Sequence, residues 1–141
     1  MDYPDPVFVF LQSQGCSRAV VAAGLPGLVA TWERIVESVA EGYQGSLEQY
    51  LNDMDTRELL NEAWQTARRD QQEESAKRLD AVDRHMRGLV IPTTHCLYGD
   101  LVAEDEGWTA ESHWWYFSRP AAPGRLLMTE LRGGAAPGAD P

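Results

Sequence analysis

Leu28, Val29, Trp32, Ile35, Val36 and Val39 recur at the spacing of one helix face, with Glu33, Arg34, Glu37 and Glu41 on the other. An apolar stripe three turns long must be buried against other elements, so it commits the chain to helix packing. Gly42 stands where a C′ glycine would close this helix, and Ser46 with Gln49 predicts a capping box opening a second one. Leu47, Tyr50, Leu51 and Met54 form that helix's stripe. Asp55 with Glu58 repeats the capping pattern, which predicts a kink or fresh start before Leu59, Leu60, Ala63, Trp64 and Ala67.

The run Arg68 to Ser75 contains no apolar residue and fits a solvated helical bridge or a loop. Ala76, Leu79, Val82 and Met86 restore a helical stripe that Gly88 weakens and Pro92 ends. Upstream, Ser17 is an N-cap for a short helix to Ala23, which Gly24-Leu25-Pro26-Gly27 breaks. The apolar run Pro6 to Leu11 suits a buried strand or an apolar arm. Beyond Pro92 the texture turns to Thr, Gly and aromatics, with His95 to Tyr98 and His113 to Phe117 as candidate strands and Arg125 to Leu131 as a closing helix. The expected fold is mainly α: a helical bundle of three to five helices with a short aromatic C-terminal segment that admits strands. At 141 residues the chain fits one core, which places a single domain at 1–132 and a disordered tail at 133–141.

The net charge of −10 repels the phosphates that a nucleic-acid binder must neutralise, so no direct nucleic-acid binding is expected. Glu33 to Glu62 holds eight acidic residues against Arg34 and Arg57, and Asp100 to Glu111 holds five with no basic residue. Such surfaces steer basic partners, although they also serve solubility. Only Cys16 and Cys96 are present, too few for a disulfide framework, and the acidic N-terminus lacks the basic region of a signal peptide. No apolar run approaches the roughly twenty residues of a membrane span. A cytoplasmic protein with no membrane contact is expected, and Lys77 as the only lysine fits a GC-rich bacterial genome.

Trp114, Trp115, Tyr116 and Phe117 follow one another, and consecutive residues cannot all face one core. With Arg119 they form a candidate partner-binding platform, against the alternative of a small domain burying aromatics from both sides. Glu33, Glu37 and Glu41, spaced i, i+4, i+8, form an acidic candidate surface for a cation or a basic partner. His85, His95 and His113, with Asp80, Asp83 or Cys96, are an alternative metal set for a small hydrolase. No pair of them has metal-ligand spacing, and scattered structural histidines are the favoured reading. Cys96 beside His95 makes a poor dyad, because neighbours on a strand point to opposite faces. There is no G-x-S-x-G elbow, P-loop or dinucleotide fingerprint.

These features favour a non-enzymatic acidic module that binds a protein partner, of the immunity, antitoxin or inhibitor kind, covering a basic surface and using no cofactor. The alternatives are the metal-dependent hydrolase and a self-associating scaffold that buries the aromatic run in a homodimer.

Overall fold

A computed structural model describes residues 4–132. The tail assigned to 133–141 lies outside them. Asp5 decides the first element: its carboxylate accepts from the backbone N–H of Val7 and Phe8, and Pro6 occupies the first turn, where no N–H is needed. The result is α1 (Pro6–Ser13), a helix where a strand or arm was expected, with Val7 and Leu11 buried. A capped start thus outweighs an apolar run too short for its periodicity to show.

Helix α2 (Arg18–Ala40) is capped by Ser17 and interrupted at Gly24, whose φ of 61° and ψ of −152° belong to a region open in practice only to glycine. Pro26 then sits in the first turn of the resumed helix, where it is tolerated. The predicted break is real, but the helix restarts at once rather than at Leu28. The whole anticipated stripe, from Leu28 to Val39, is buried. Among the described residues α2 is also long and apolar enough, by length and composition, to cross a membrane, with a mean hydropathy of 1.3. The sequence expectation that no segment reaches that threshold is corrected accordingly. Its apolar face is nonetheless occupied, because α2 packs against α1, α3 (Leu47–Thr66) and α4 (Arg69–Arg87).

The capping box of Ser46 and Gln49 opens α3, and Gly42 with φ 88° closes the turn before it. No fresh start occurs at Asp55, since α3 runs through it without interruption. The apolar-free stretch Arg68 to Ser75 is the tight turn and the first two turns of α4, where the Gln71 side chain accepts from the Arg68 N–H at 2.9 Å. Helix α4 turns Ser75, Leu79, Val82 and Met86 inward, while Ala76 of the anticipated stripe is exposed.

After α4 the chain forms a two-stranded antiparallel ribbon, β1 (Val90–Pro92) with β2 (Ser118–Pro120), pairing Ile91 with Arg119. Between the strands lie α5 (Asp100–Glu106) and a 3₁₀ turn at Trp114–Tyr116, and α6 (Arg125–Arg132) follows them. Six α-helices are therefore present among the described residues where three to five were expected, and the mainly-α class holds. The sheet involves neither His95–Tyr98, which is loop, nor His113–Phe117, most of which is the 3₁₀ turn.

Candidate functional site

The aromatic run was expected to expose part of itself as a platform, and the structure corrects this. Trp114, Trp115 and Tyr116 are buried, and Phe117 is half-buried. A 3₁₀ turn spreads successive side chains about 120° apart, so three neighbours reach three different parts of the core. Two cations hold them there: Arg57 lies 4.4 Å over the Trp115 ring and Arg87 lies 4.3 Å over that of Trp114. Arg119, on the ribbon, is half-buried.

Arg57 also anchors the polar interior. Its Nε and Nη2 donate to the two carboxylate oxygens of Asp83 at 3.0 and 2.8 Å, and Trp32 Nε1 donates to the same carboxylate at 2.9 Å. With Arg57 only 7% exposed, this fork joins α2, α3 and α4 through one nearly sealed charge pair. Arg57 Nη1 and Trp115 Nε1 have no hydrogen-bond partner among the described residues.

The neighbouring stretch of α3 clasps the C-terminal segment. Asp55 accepts from the Tyr116 hydroxyl at 2.6 Å and from that of Tyr98 at 2.7 Å. Burial, reinforced by these bonds to Asp55, raises both phenols well above their ordinary value. One helical turn on, Glu58 meets His113 Nε2 at 3.1 Å. The Ser112 hydroxyl approaches His113 Nδ1 at 2.8 Å, giving a serine–histidine–glutamate line. Ser112 Oγ is occupied, however: it accepts from the Thr109 N–H at 3.1 Å, while Thr109 Oγ1 accepts from the Ser112 N–H at 3.0 Å. That reciprocal pattern closes a turn and fixes the Ser112 hydroxyl beside His113. Trp108 stacks on Tyr116 at 4.2 Å and on His113 at 5.6 Å.

Around this clasp the surface is acidic. Burial raises the Glu58 and Glu62 carboxyls, and the charge of Glu106 on α5 raises both further. Helix α5 buries only Ala103 and presents Asp100, Glu104, Asp105 and Glu106 to solvent. Leu101 shares a face with Glu104 and Asp105 and is 78% exposed. This leucine escaped the sequence analysis, although the five uncompensated acids from Asp100 to Glu111 marked the region.

The remaining candidates are scattered. Glu33 is tied to Arg78 at 2.7 Å, whereas Glu37 and Glu41 are exposed. His85 is exposed on α4, His95 pairs with Asp100 at 2.8 Å, and His113 sits in the clasp. The three histidines therefore do not converge, and among the described residues no three His, Cys, Asp or Glu side chains are grouped to hold a metal. Cys96 is buried, which pushes its thiol up and away from the reactive thiolate. Comparison with family models, with curated proteins and with solved structures returned no match.

Proposed function

We propose that this protein is an acidic protein-binding module that acts without catalysis, in the manner of an immunity, antitoxin or inhibitor protein, and covers a basic partner in the cytoplasm. One observation carries the reading. Helix α5 holds four carboxylates in seven residues around a leucine that is 78% exposed, and among the described residues only Asp100 of the four has an ion-pair partner, His95. Charge of one sign steers encounter with an opposite surface, and an apolar side chain among those charges anchors it. Two free cysteines, Cys16 and Cys96, support the reducing compartment. Trp114, Trp115 and Tyr116 are packed inside the chain, which leaves α5 as the better-supported partner surface.

The test compares native protein with Leu101→Asp and with the pair Glu104→Lys and Asp105→Lys, each immobilised and exposed to host extract at low and moderate salt. A basic protein held by the native chain, released by salt and lost from both variants is the expected result. Identical retention by all three would overturn the proposal.

A further inference from the structure

Ser112 and His113 follow one another in the chain, and their functional groups meet. Neighbours on a strand point apart, but the backbone bends at His113, whose φ of −132° and ψ of 53° lead into the 3₁₀ turn. Ser112 Oγ therefore lies 2.8 Å from His113 Nδ1. On the far side of the ring, Nε2 stands 3.1 and 3.3 Å from the two carboxylate oxygens of Glu58. An ionised carboxylate only accepts, so Nε2 carries the ring proton and the Nδ1 lone pair faces the serine hydroxyl.

Exposure divides the three groups. Ser112 is open to solvent, whereas the side chains of His113 and Glu58 are each 15% exposed, and Trp108 stacks on the imidazole at 5.6 Å. Burial, opposed by the charge of Glu62 and assisted by that of Arg57, holds His113 below its ordinary 6.5, so the ring is neutral at pH 7 and free to take a proton. One lone pair of Ser112 Oγ accepts from the Thr109 N–H. The other faces the exposed Thr109 hydroxyl at 2.9 Å, a rotor that can turn to water instead. The backbone N–H groups of the pair are both engaged: that of Ser112 donates to Thr109 Oγ1 at 3.0 Å and that of His113 to the Thr109 carbonyl at 2.8 Å. Neither is left to stabilise an oxyanion.

We propose that Ser112 is a covalent modification site, whose hydroxyl takes an acyl group from an activated ester or thioester of neutral or positive charge. The bond from Oγ to the carbonyl carbon forms, and the bond from that carbon to the leaving oxygen or sulfur breaks. The hydroxyl proton passes to His113 Nδ1 and on to the departing group. His113 is the base, and Glu58 is a positioning residue that fixes its tautomer. With neither N–H of the pair free for an oxyanion, only a donor with a good leaving group reacts, and the alkyl ester left on Ser112, with a far poorer one, persists. One acyl group per chain is the product, so the site adds a modification to a binding module without making it an enzyme. The five acidic residues from Asp100 to Glu111, with no basic residue among them, repel anionic donors such as acyl phosphates. The site stands independently of the α5 surface.

Intact-mass and tandem mass spectrometry of the full-length protein, incubated with p-nitrophenyl acetate, acetylthiocholine or acetyl phosphate, test it. The expected result is a single acetyl group on Ser112 from the first two donors, arriving more slowly from acetyl phosphate. Ser112→Ala should lose that adduct, and His113→Gln should slow its formation about 100-fold. Glu58→Ala should slow it as well, with most of the rate kept by Glu58→Gln, which retains an acceptor for Nε2–H. The native rate should rise with pH through a midpoint below 6.5 and then level off, as a neutral imidazole base requires. Glu58→Gln should move that midpoint lower, a shift that a merely structural role would not produce. The native pH profile decides the matter even where His113→Gln fails to fold. Acetylation confined to Lys77, Cys16 or the N-terminal amine would overturn the proposal. So would a Ser112 rate that His113→Gln leaves unchanged, a rate that climbs about tenfold per pH unit without levelling, release of nitrophenol beyond one equivalent per chain, or acetyl phosphate as the fastest donor.

Discussion

Arg57 and Asp83 sit nearly sealed between three helices, whereas the carboxylates of α5 stand in open solvent on a helix that buries one residue. Both belong to the same strongly acidic chain, yet they answer to different physics. A buried charge persists only when it is closely paired, and the fork from Arg57 Nε and Nη2 to Asp83, joined by Trp32, supplies that pairing although Arg57 Nη1 has no hydrogen-bond partner among the described residues. An exposed charge needs no partner to survive and contributes almost nothing to folding. Net charge alone cannot separate the two uses, but burial can.

The contrast can be broken most forcefully at Arg57. Arg57→Ala strands Asp83 and removes the cation from Trp115, so urea unfolding should show a loss of about 3–5 kcal/mol. A loss below about 1 kcal/mol would place the pair with the surface charges. Asp55→Ala releases the hydroxyls of Tyr98 and Tyr116, and since the aspartate is partly open to water the cost should be about 2 kcal/mol by the same measurement. A cost near zero would mean that aromatic stacking alone secures the segment.

Acidification sharpens the comparison at its boundary, where His113 meets Glu58. Burial holds His113 below its ordinary value of 6.5 against the pull of Glu62, so its contribution is present above pH 6.5 and is lost as pH falls through the lower folded value. Glu58 and Glu62, raised from 4.5, act in the opposite sense: their contribution is complete below pH 4.5 and is lost as pH rises through the folded values. His113→Gln removes the first effect and also the lowering that His113 exerts on Glu62, which acts in the same direction. Relative to native protein the variant should therefore gain stability as pH drops from 6.5 to 5, read by urea unfolding at each pH. The reverse trend would mean that a charged imidazolium pairs with Glu58. The smallest effect belongs to Glu104→Lys with Asp105→Lys, which should change stability by no more than about 0.5 kcal/mol. A larger change would show that α5 serves the fold.

Local signals were legible in the amino-acid order, and contacts between distant residues were not. Ser46 with Gln49, the glycines at 24 and 42, and the Leu28-to-Val39 stripe act through neighbours a few residues away, and each performs as its spacing implies. Asp55 carries the same N-cap signal as Ser46, yet its carboxylate serves hydroxyls 43 and 61 residues away, which no local pattern encodes. The aromatic run was visible but not its fate, because burial on several sides depended on guanidinium groups from α3 and α4. As for the acidic surface, Glu33 has the sequence character of Glu37 and Glu41, and only the position of Arg78 separates it from them.

The distance from Asp55 to Tyr116 also sets a clock on the making of the protein. At ordinary rates of translation, about 5–20 residues per second, a further 61 residues take roughly 3–12 s, far longer than helices need to form. During that interval the nascent α1–α4 hairpins carry an uncovered face of α3, with Asp55, Arg57 and Glu58 awaiting the aromatic segment. Chains stalled before residue 98 should then be cut by protease within α3, while the finished chain resists. The last third of the molecule is in this sense a cover fitted after the frame is built, and the seconds before it closes are when a young chain is most exposed to aggregation.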